Sequence, residues 1–141
     1  MATIEGFDFP DDLYYTKEHF WAKVEGNTIT IGLTQLGQDL AGDILYVEMP
    51  AEGREVTQGE AFMSMESGKW VGRVKTPVSG TILEGNTELE WESDMVNNDP
   101  YNSGWLTKLD ASDLSELDSL LRVDSPDLSS FVIEEKKKFK K

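Results

Sequence analysis

The sequence predicts a mainly β protein, an antiparallel β-sandwich or flattened barrel with short peripheral helices. Short stretches of alternating apolar and polar residues follow one another along the chain, with turn residues roughly every eight to twelve positions. Only two short segments have helical spacing, and strands and helices do not alternate in the βαβ order that builds a parallel sheet. The 141 residues suffice for one domain with a sizeable core.

The N-terminal part predicts an extended lead-in followed by a hairpin. Residues 1–13 are acidic and contain Pro10, so we expect an extended segment there. Residues 20–25 and 28–33 surround a Gly-Asn pair, and the second of these stretches alternates with period two, which is typical of a β-hairpin.

A short helix is predicted after this hairpin. Thr34 is suited to cap it, and Gly42 is suited to end it after about two turns. Leu36 and Leu40 lie on one side of this helix, because residues four apart share a helix face.

Three further strands, at residues 43–49, 61–65 and 70–75, are predicted around a tight turn. The last two flank Gly68 and Lys69, and the glycine is expected to supply the positive φ of a two-residue hairpin turn. Lys69 would then project into water from a stiff support. From this stretch alone, Lys69 is either a solubility residue or a site of modification.

The second half predicts strands at residues 78–86 and 105–109, with a polar loop at 91–98 between them. Ser112 is suited to cap a helix that Ser125 and Pro126 end. The expected organisation is an N-terminal lead-in at 1–13, one domain at 14–123 and a C-terminal tail at 124–141.

Composition points to a soluble globular protein that binds other proteins. Hydrophobic residues are 38% of the chain and charged residues 28%. The formal net charge is −14, and residues 1–135 hold 8 basic against 27 acidic side chains, because five lysines follow residue 135. Such a body repels phosphate backbones and anionic lipid, so we expect no nucleic-acid or membrane partner and instead proteins with basic faces. The basic end is a solvated terminus, a strap onto the body or a docking tag.

Several kinds of chemistry are excluded by residue counts. The chain has no cysteine, which removes disulfides, thiolate metal sites and cysteine nucleophiles. The single histidine, His19, cannot form a multi-histidine metal site, and a hydrolase would have to be built on it alone. Residues 1–13 carry four acids and no basic residue, unlike a secretory leader, so we expect a cytoplasmic protein. We also expect a monomer.

Many short segments of the chain fit one known pattern in order and spacing, namely residues 15–19 with Trp21, 31–34, 42–44, 47–50, Gly53 with Val56 and Gly59, Glu66 with Ser67 and Lys69, 77–80, Asn86, 98–101 and 104–106. Together they resemble the H-protein family of the glycine cleavage system, a family of lipoyl carriers. This resemblance covers roughly residues 14–121. It implies the lipoyl-domain (hammerhead) type of β-sandwich, and a carrier rather than an enzyme.

The resemblance also implies lipoate in amide linkage on Lys69, serving as a swinging arm that shuttles an intermediate between enzymes. Glu66 and Ser67 would be read by the lipoate-attaching enzyme, and Gly68 would let that enzyme's backbone approach. The residues expected around the arm are His19, Phe20, Leu40 and Trp70. An aromatic residue at position 70 could shelter the arm or stack on its own strand.

Three positions depart from the family pattern. The family commonly has glutamate where this chain has Phe20, some members have histidine where it has Leu40, and small residues follow the lysine where it has Trp70. A cationic aminomethyl cargo would lose polar partners here, whereas a sulfur-only cargo would not. This favours the H-protein-like carriers of bacterial sulfur oxidation, which work with a heterodisulfide-reductase-like complex.

Other functions remain as alternatives. The first is glycine cleavage, with glycine decarboxylase, aminomethyltransferase and dihydrolipoamide dehydrogenase as partners. The second is an unmodified docking scaffold. A biotinyl carrier is disfavoured because methionines normally flank its lysine, and a hydrolase based on His19 has the least support.

Overall fold

The computed structural model describes residues 2–68 and 70–138. Their strands are β1 (Ala2–Ile4), β2 (Phe7–Phe9), β3 (Tyr14–Tyr15), β4 (Phe20–Glu25), β5 (Thr28–Leu33), β6 (Ile44–Glu48), β7 (Glu55–Val56), β8 (Ala61–Ser67), β9 (Val71–Lys75), β10 (Gly80–Gly85) and β11 (Thr107–Ala111). The helices are α1 (Gln35–Ala41), α2 (Met95–Asn98) and α3 (Pro126–Lys138), with 3₁₀ turns at Thr87–Glu90 and Leu114–Ser119. No helix among these residues is long and apolar enough to span a membrane.

Two antiparallel sheets form the body, as predicted. One has the strand order β3-β4-β5-β11-β10-β7 and the other has the order β6-β8-β9. The predicted hairpin is confirmed as β4 and β5, with Phe20 opposite Leu33 and Glu25 opposite Thr28. A sandwich is therefore confirmed.

The main core lies between the two sheets, because apolar side chains of both contribute to one cluster. Its members include Ile29, Ile31, Ile82 and Leu109 from the larger sheet, and Val47, Met63, Met65 and Val74 from the smaller sheet. Alternate residues of a strand point to opposite faces, so the residues between them face outward.

Helix α1 follows the prediction closely. The Thr34 hydroxyl accepts a hydrogen bond from the Gly37 amide at 3.0 Å, and the helix ends at Gly42, which has a φ of 84°. A positive φ at this position is the usual reason for glycine after a helix.

Two predictions in the second half were wrong. Residues 91–98 are not all loop, because α2 occupies the end of this segment. The helical turn after residue 112 is a 3₁₀ helix capped by the Asp113 carboxylate, which accepts from the Ser115 amide at 3.0 Å. Ser112 precedes this cap and instead donates its amide to the Ser79 carbonyl.

Both chain ends differ from their predictions. Residues 2–9 form the β1–β2 hairpin, with positive φ at Glu5 and Gly6, and not a plain extended segment. Residues 126–138 form α3, a helix of 13 residues, and not a short tail. The two ends meet in a second apolar cluster that contains Phe9, Leu13, Tyr15, Trp21, Leu36, Leu121, Leu128 and Val132.

Candidate functional site

The hairpin of β8 and β9 forms the frame of the candidate site. Met65 lies opposite Gly72 and Glu66 lies opposite Val71 in its register. The Ser67 amide donates to the Trp70 carbonyl at 2.8 Å, which closes a tight turn. Lys69 follows Gly68 in the sequence and lies outside the described residues, and so does the prediction that its side chain projects into water. The predicted hairpin of the two flanking strands is confirmed by their antiparallel pairing.

Gly68 does not have the positive φ that the sequence predicted, since its φ lies outside the left-handed region. A Cβ built on Gly68 would have no described atom within 4 Å beyond its chain neighbours. Gly68 is also exposed, so no described atom covers this side of it.

Ser67 fixes the base of the turn to the end of α1. Its side chain is buried, and its hydroxyl donates to the Ala41 carbonyl at 2.6 Å. The last carbonyls of a helix have no partner within the helix, so this bond satisfies one of them. Of the two residues expected to be read by the attaching enzyme, Glu66 is exposed and Ser67 is buried.

Trp70 packs on its own strand, one of the two arrangements considered above. Its indole occupies the space where a side chain at Gly72 would lie, because a Cβ built there would overlap the six-membered ring. The indole also contacts the main core and is partly buried. Trp70 therefore stabilises the hairpin beside the turn.

Phe20 lies inside the molecule. It is 2% exposed and belongs to the main core. Its substitution for the family's glutamate therefore adds an apolar core contact.

His19 lies under the C-terminal helix. Its Nε2 is 2.7 Å from Oε1 of Glu135, and its ring centroid is 5.3 Å from that of Phe131. Burial lowers the pKa of His19 below its ordinary value, although the Glu135 carboxylate acts in the opposite direction. The backbone of His19 has a φ of 76°, which is uncommon for a residue with a side chain.

Leu40 lines a cavity of about 510 Å³ between the β1–β2 turn, α1 and α3. Its other lining residues are Glu5, Leu36, Asp39, Ile133, Lys136 and Lys137. Among the described residues, the structure thus brings Glu66, Ser67, Gly68 and Trp70 together at the turn. It places Phe20 in the core, His19 against α3 and Leu40 on the cavity wall.

Sequence reasoning missed three exposed apolar residues near the turn, namely Leu45, Tyr46 and Val71. Leu45 and Tyr46 are both exposed because the register of β6 shifts between Ile44 and Tyr46. Adjacent apolar residues in a strand were the only available signal, and a bulge cannot be located from them.

Comparisons with known proteins agree with this fold. The family model for the glycine cleavage H-protein matches residues 13–129. A glycine cleavage system H protein of Staphylococcus haemolyticus is 48% identical over 115 residues, which are 82% of this chain and 91% of that protein. One from Thermus thermophilus is 46% identical over 114 residues, 81% of this chain and 89% of that protein.

A solved structure extends the agreement to three dimensions. The crystal structure of a glycine cleavage system H protein from Mycobacterium marinum superimposes with a TM-score of 0.77 at 28% identity, covering 90% of this chain and 98% of that one. The matches of sequence and structure both cover most of the chain. The chain therefore belongs to the glycine cleavage H-protein family, whose members are lipoyl carriers and not enzymes.

Proposed function

We propose that this protein is the lipoyl carrier of a glycine cleavage system, with lipoate in amide linkage on Lys69. It would carry the aminomethyl group of glycine from glycine decarboxylase to aminomethyltransferase, and dihydrolipoamide dehydrogenase would reoxidise the carrier. The observation that carries this proposal is the match of residues 13–129 to the glycine cleavage H-protein model.

The hairpin suits a covalently attached arm. The Ser67–Ala41 hydrogen bond and the packing of Trp70 on Gly72 hold both strands up to the turn. No described atom beyond its chain neighbours lies within 4 Å of a Cβ built on Gly68, so that side of Gly68 is not covered. Lipoate would supply a long arm that ends in a disulfide, which opens and closes by thiol–disulfide exchange. The absence of cysteine prevents mixed disulfides between the carrier's own side chains and such an arm.

The preference for sulfur oxidation has no support in the comparisons, since the relatives described above are glycine cleavage proteins. Its structural basis is also weaker than expected. Phe20 is a core residue and Trp70 packs on its own strand, so two of the three departures contribute to packing. The aminomethyl cargo is therefore the better proposal.

Intact-mass spectrometry tests the attachment. The wild type, treated with a lipoate-attaching enzyme, lipoate and ATP, should gain one lipoyl increment, and Lys69→Arg should gain none. An unmodified wild type would contradict the carrier proposal and would favour a docking scaffold, for which Lys69→Arg leaves function unchanged.

Reconstitution tests the pathway. The lipoylated wild type should support glycine-dependent CO₂ exchange by glycine decarboxylase, and Lys69→Arg should not. A lipoylated chain that fails in this assay, but serves a heterodisulfide-reductase-like complex, would overturn the glycine assignment and leave the carrier function intact.

A further inference from the structure

The outer face of the small sheet carries a row of exposed residues beside the turn. Tyr46, Glu66 and Val71 lie directly opposite one another across β6, β8 and β9. Directly paired residues share a face, so their side chains form one row. Tyr46 is 70% exposed and Val71 is 72% exposed, and Leu45 beside them is 63% exposed. We call these four residues the tip row.

On the outer face of the small sheet, the exposed apolar side chains are confined to the tip row. The next row on the same face consists of Glu48, Ser64 and Arg73, which are all polar. On the inner face of the same strands, Val47 and Met65 pack in the core and are 6% and 1% exposed. Large apolar side chains in water contribute little to folding, and their clustering is typical of an interaction surface.

The charge at the centre of the tip row indicates what would bind there. The Glu66 carboxylate forms no hydrogen bond or ion pair with another described residue, and Glu66 stands between Tyr46 and Val71. An apolar surface with a basic residue at its centre would complement this arrangement. The acidic body would attract the same kind of partner.

The position of the row identifies the partner, given the proposed attachment at Lys69. The Glu66–Val71 pair lies next to the Ser67–Trp70 pair that closes the turn. A lysine side chain extends only about 6 Å from its Cα. An enzyme that acylates Nζ must therefore lie against the residues beside the turn. Enzymes that meet the finished, longer arm have no such constraint.

We propose that Leu45, Tyr46, Glu66 and Val71 form the docking surface for the lipoate-attaching enzyme, which would present an apolar patch with a basic residue to Glu66. This rests on the proposed function. The enzyme would use a lipoyl adenylate as acyl donor. The deprotonated amine of Lys69 would attack the acyl carbon, so that the new C–N bond forms as the C–O bond to AMP breaks. The proton that the attacking nitrogen then loses would pass to solvent.

Initial rates of lipoyl transfer, followed by intact mass, test the docking surface. Tyr46→Ser combined with Val71→Ser should raise KM for the carrier about tenfold and leave kcat within about twofold. Glu66→Lys should do the same. Glu48→Lys makes the same charge change in the next row and is the matched control, with KM expected within about twofold of wild type.

The outcomes separate the two proposals. Wild-type KM in the tip-row variants, or a loss in kcat alone, would overturn the docking surface while the lipoylated wild type still supports the carrier function. Failure of the wild type to accept lipoate would instead overturn the carrier proposal. Variants that have been fully lipoylated by long incubation should show the wild-type KM with glycine decarboxylase. An increase in KM seen only with glycine decarboxylase would show that the tip row binds that enzyme and not the lipoate-attaching enzyme. Circular dichroism confirms that each variant is folded.

Discussion

At the residue scale, Gly72 is explained by its neighbour Trp70. The indole occupies the space of a side chain at position 72, so Gly72→Val should force the ring away from the core. We expect a loss of about 1–3 kcal/mol in the free energy of unfolding, measured by urea denaturation. Gly68→Ala is the matched control in the same hairpin. It meets no described atom and needs no left-handed backbone, so its effect should stay within about 1 kcal/mol. Equal losses would contradict this account of Gly72.

His19 should make stability depend on pH. Burial lowers its pKa in the folded protein, Glu135 and Glu18 oppose this effect, and Lys138 adds to it. The unfolded chain then binds the proton more readily, so stability present above the ordinary pKa of 6.5 is lost as the pH falls through that value toward the folded pKa.

The variant His19→Asn tests this dependence, since asparagine tolerates the positive φ at this position. Urea denaturation between about pH 5 and 7.5 should show the wild type losing more stability than the variant as the pH falls. Parallel profiles would contradict the assignment to His19.

Residue patterns predicted the caps of α1 but not the direction of the Phe20 side chain. Thr34 and Gly42 have local roles in α1, and local chemistry identified them. The direction of Phe20 depends on the main core, which is assembled from strands distant in sequence. The sequence therefore showed that a polar group was replaced, but could not show that the replacement is buried.

At the element scale, α3 is held by two buried side chains one turn apart. Leu128 is 1% exposed and Val132 is 0% exposed, and both belong to the second apolar cluster. We expect Leu128→Ala to cost about 2–5 kcal/mol in the free energy of unfolding. Ser130→Ala changes an exposed position of the same helix and should have an effect within about 0.5 kcal/mol. Hydrogen exchange of the α3 amides would show whether the helix alone or the whole domain is affected.

The sequence did not predict α3, because Pro126 was interpreted as the end of a preceding helix and not as the first residue of a new one. Proline suits the first position of a helix, since the amide it lacks would have no partner there. Asp127 in the first turn and Lys136–Lys138 in the last turn match the helix dipole. The run Phe131-Val132-Ile133 obscured the helical spacing of Leu128 and Val132.

At the scale of the whole molecule, the two sheets could be predicted and the second core could not. The main core joins strands whose alternation is visible locally. The second core contains Phe9 from near the N-terminus together with Leu128 and Val132 from near the C-terminus. No local sequence pattern predicts that residues so far apart in the chain share one cluster. Both terminal segments thus contribute apolar side chains to the second core, whereas the sequence suggested a lead-in and a tail.

The charge of the molecule leads to a prediction about association rates. Residues 1–135 hold 8 basic and 27 acidic side chains, so the body attracts proteins with basic faces over distances longer than a contact. The association rate constant with glycine decarboxylase, followed by stopped-flow fluorescence, should fall about tenfold or more between 20 and 300 mM NaCl. The dissociation rate constant should change much less, because contacts at close range are screened less.

The basic end of α3 provides the control for this prediction. Lys136 is exposed but has its Nζ 5.1 Å from the centroid of the Phe7 ring, and Lys137 is exposed as well. Lys137→Glu makes the molecule more acidic, so it should leave the association rate unchanged or raise it slightly at low salt. A marked decrease would show that the basic end is a docking tag, and a salt-independent rate for the wild type would contradict steering by the acidic body.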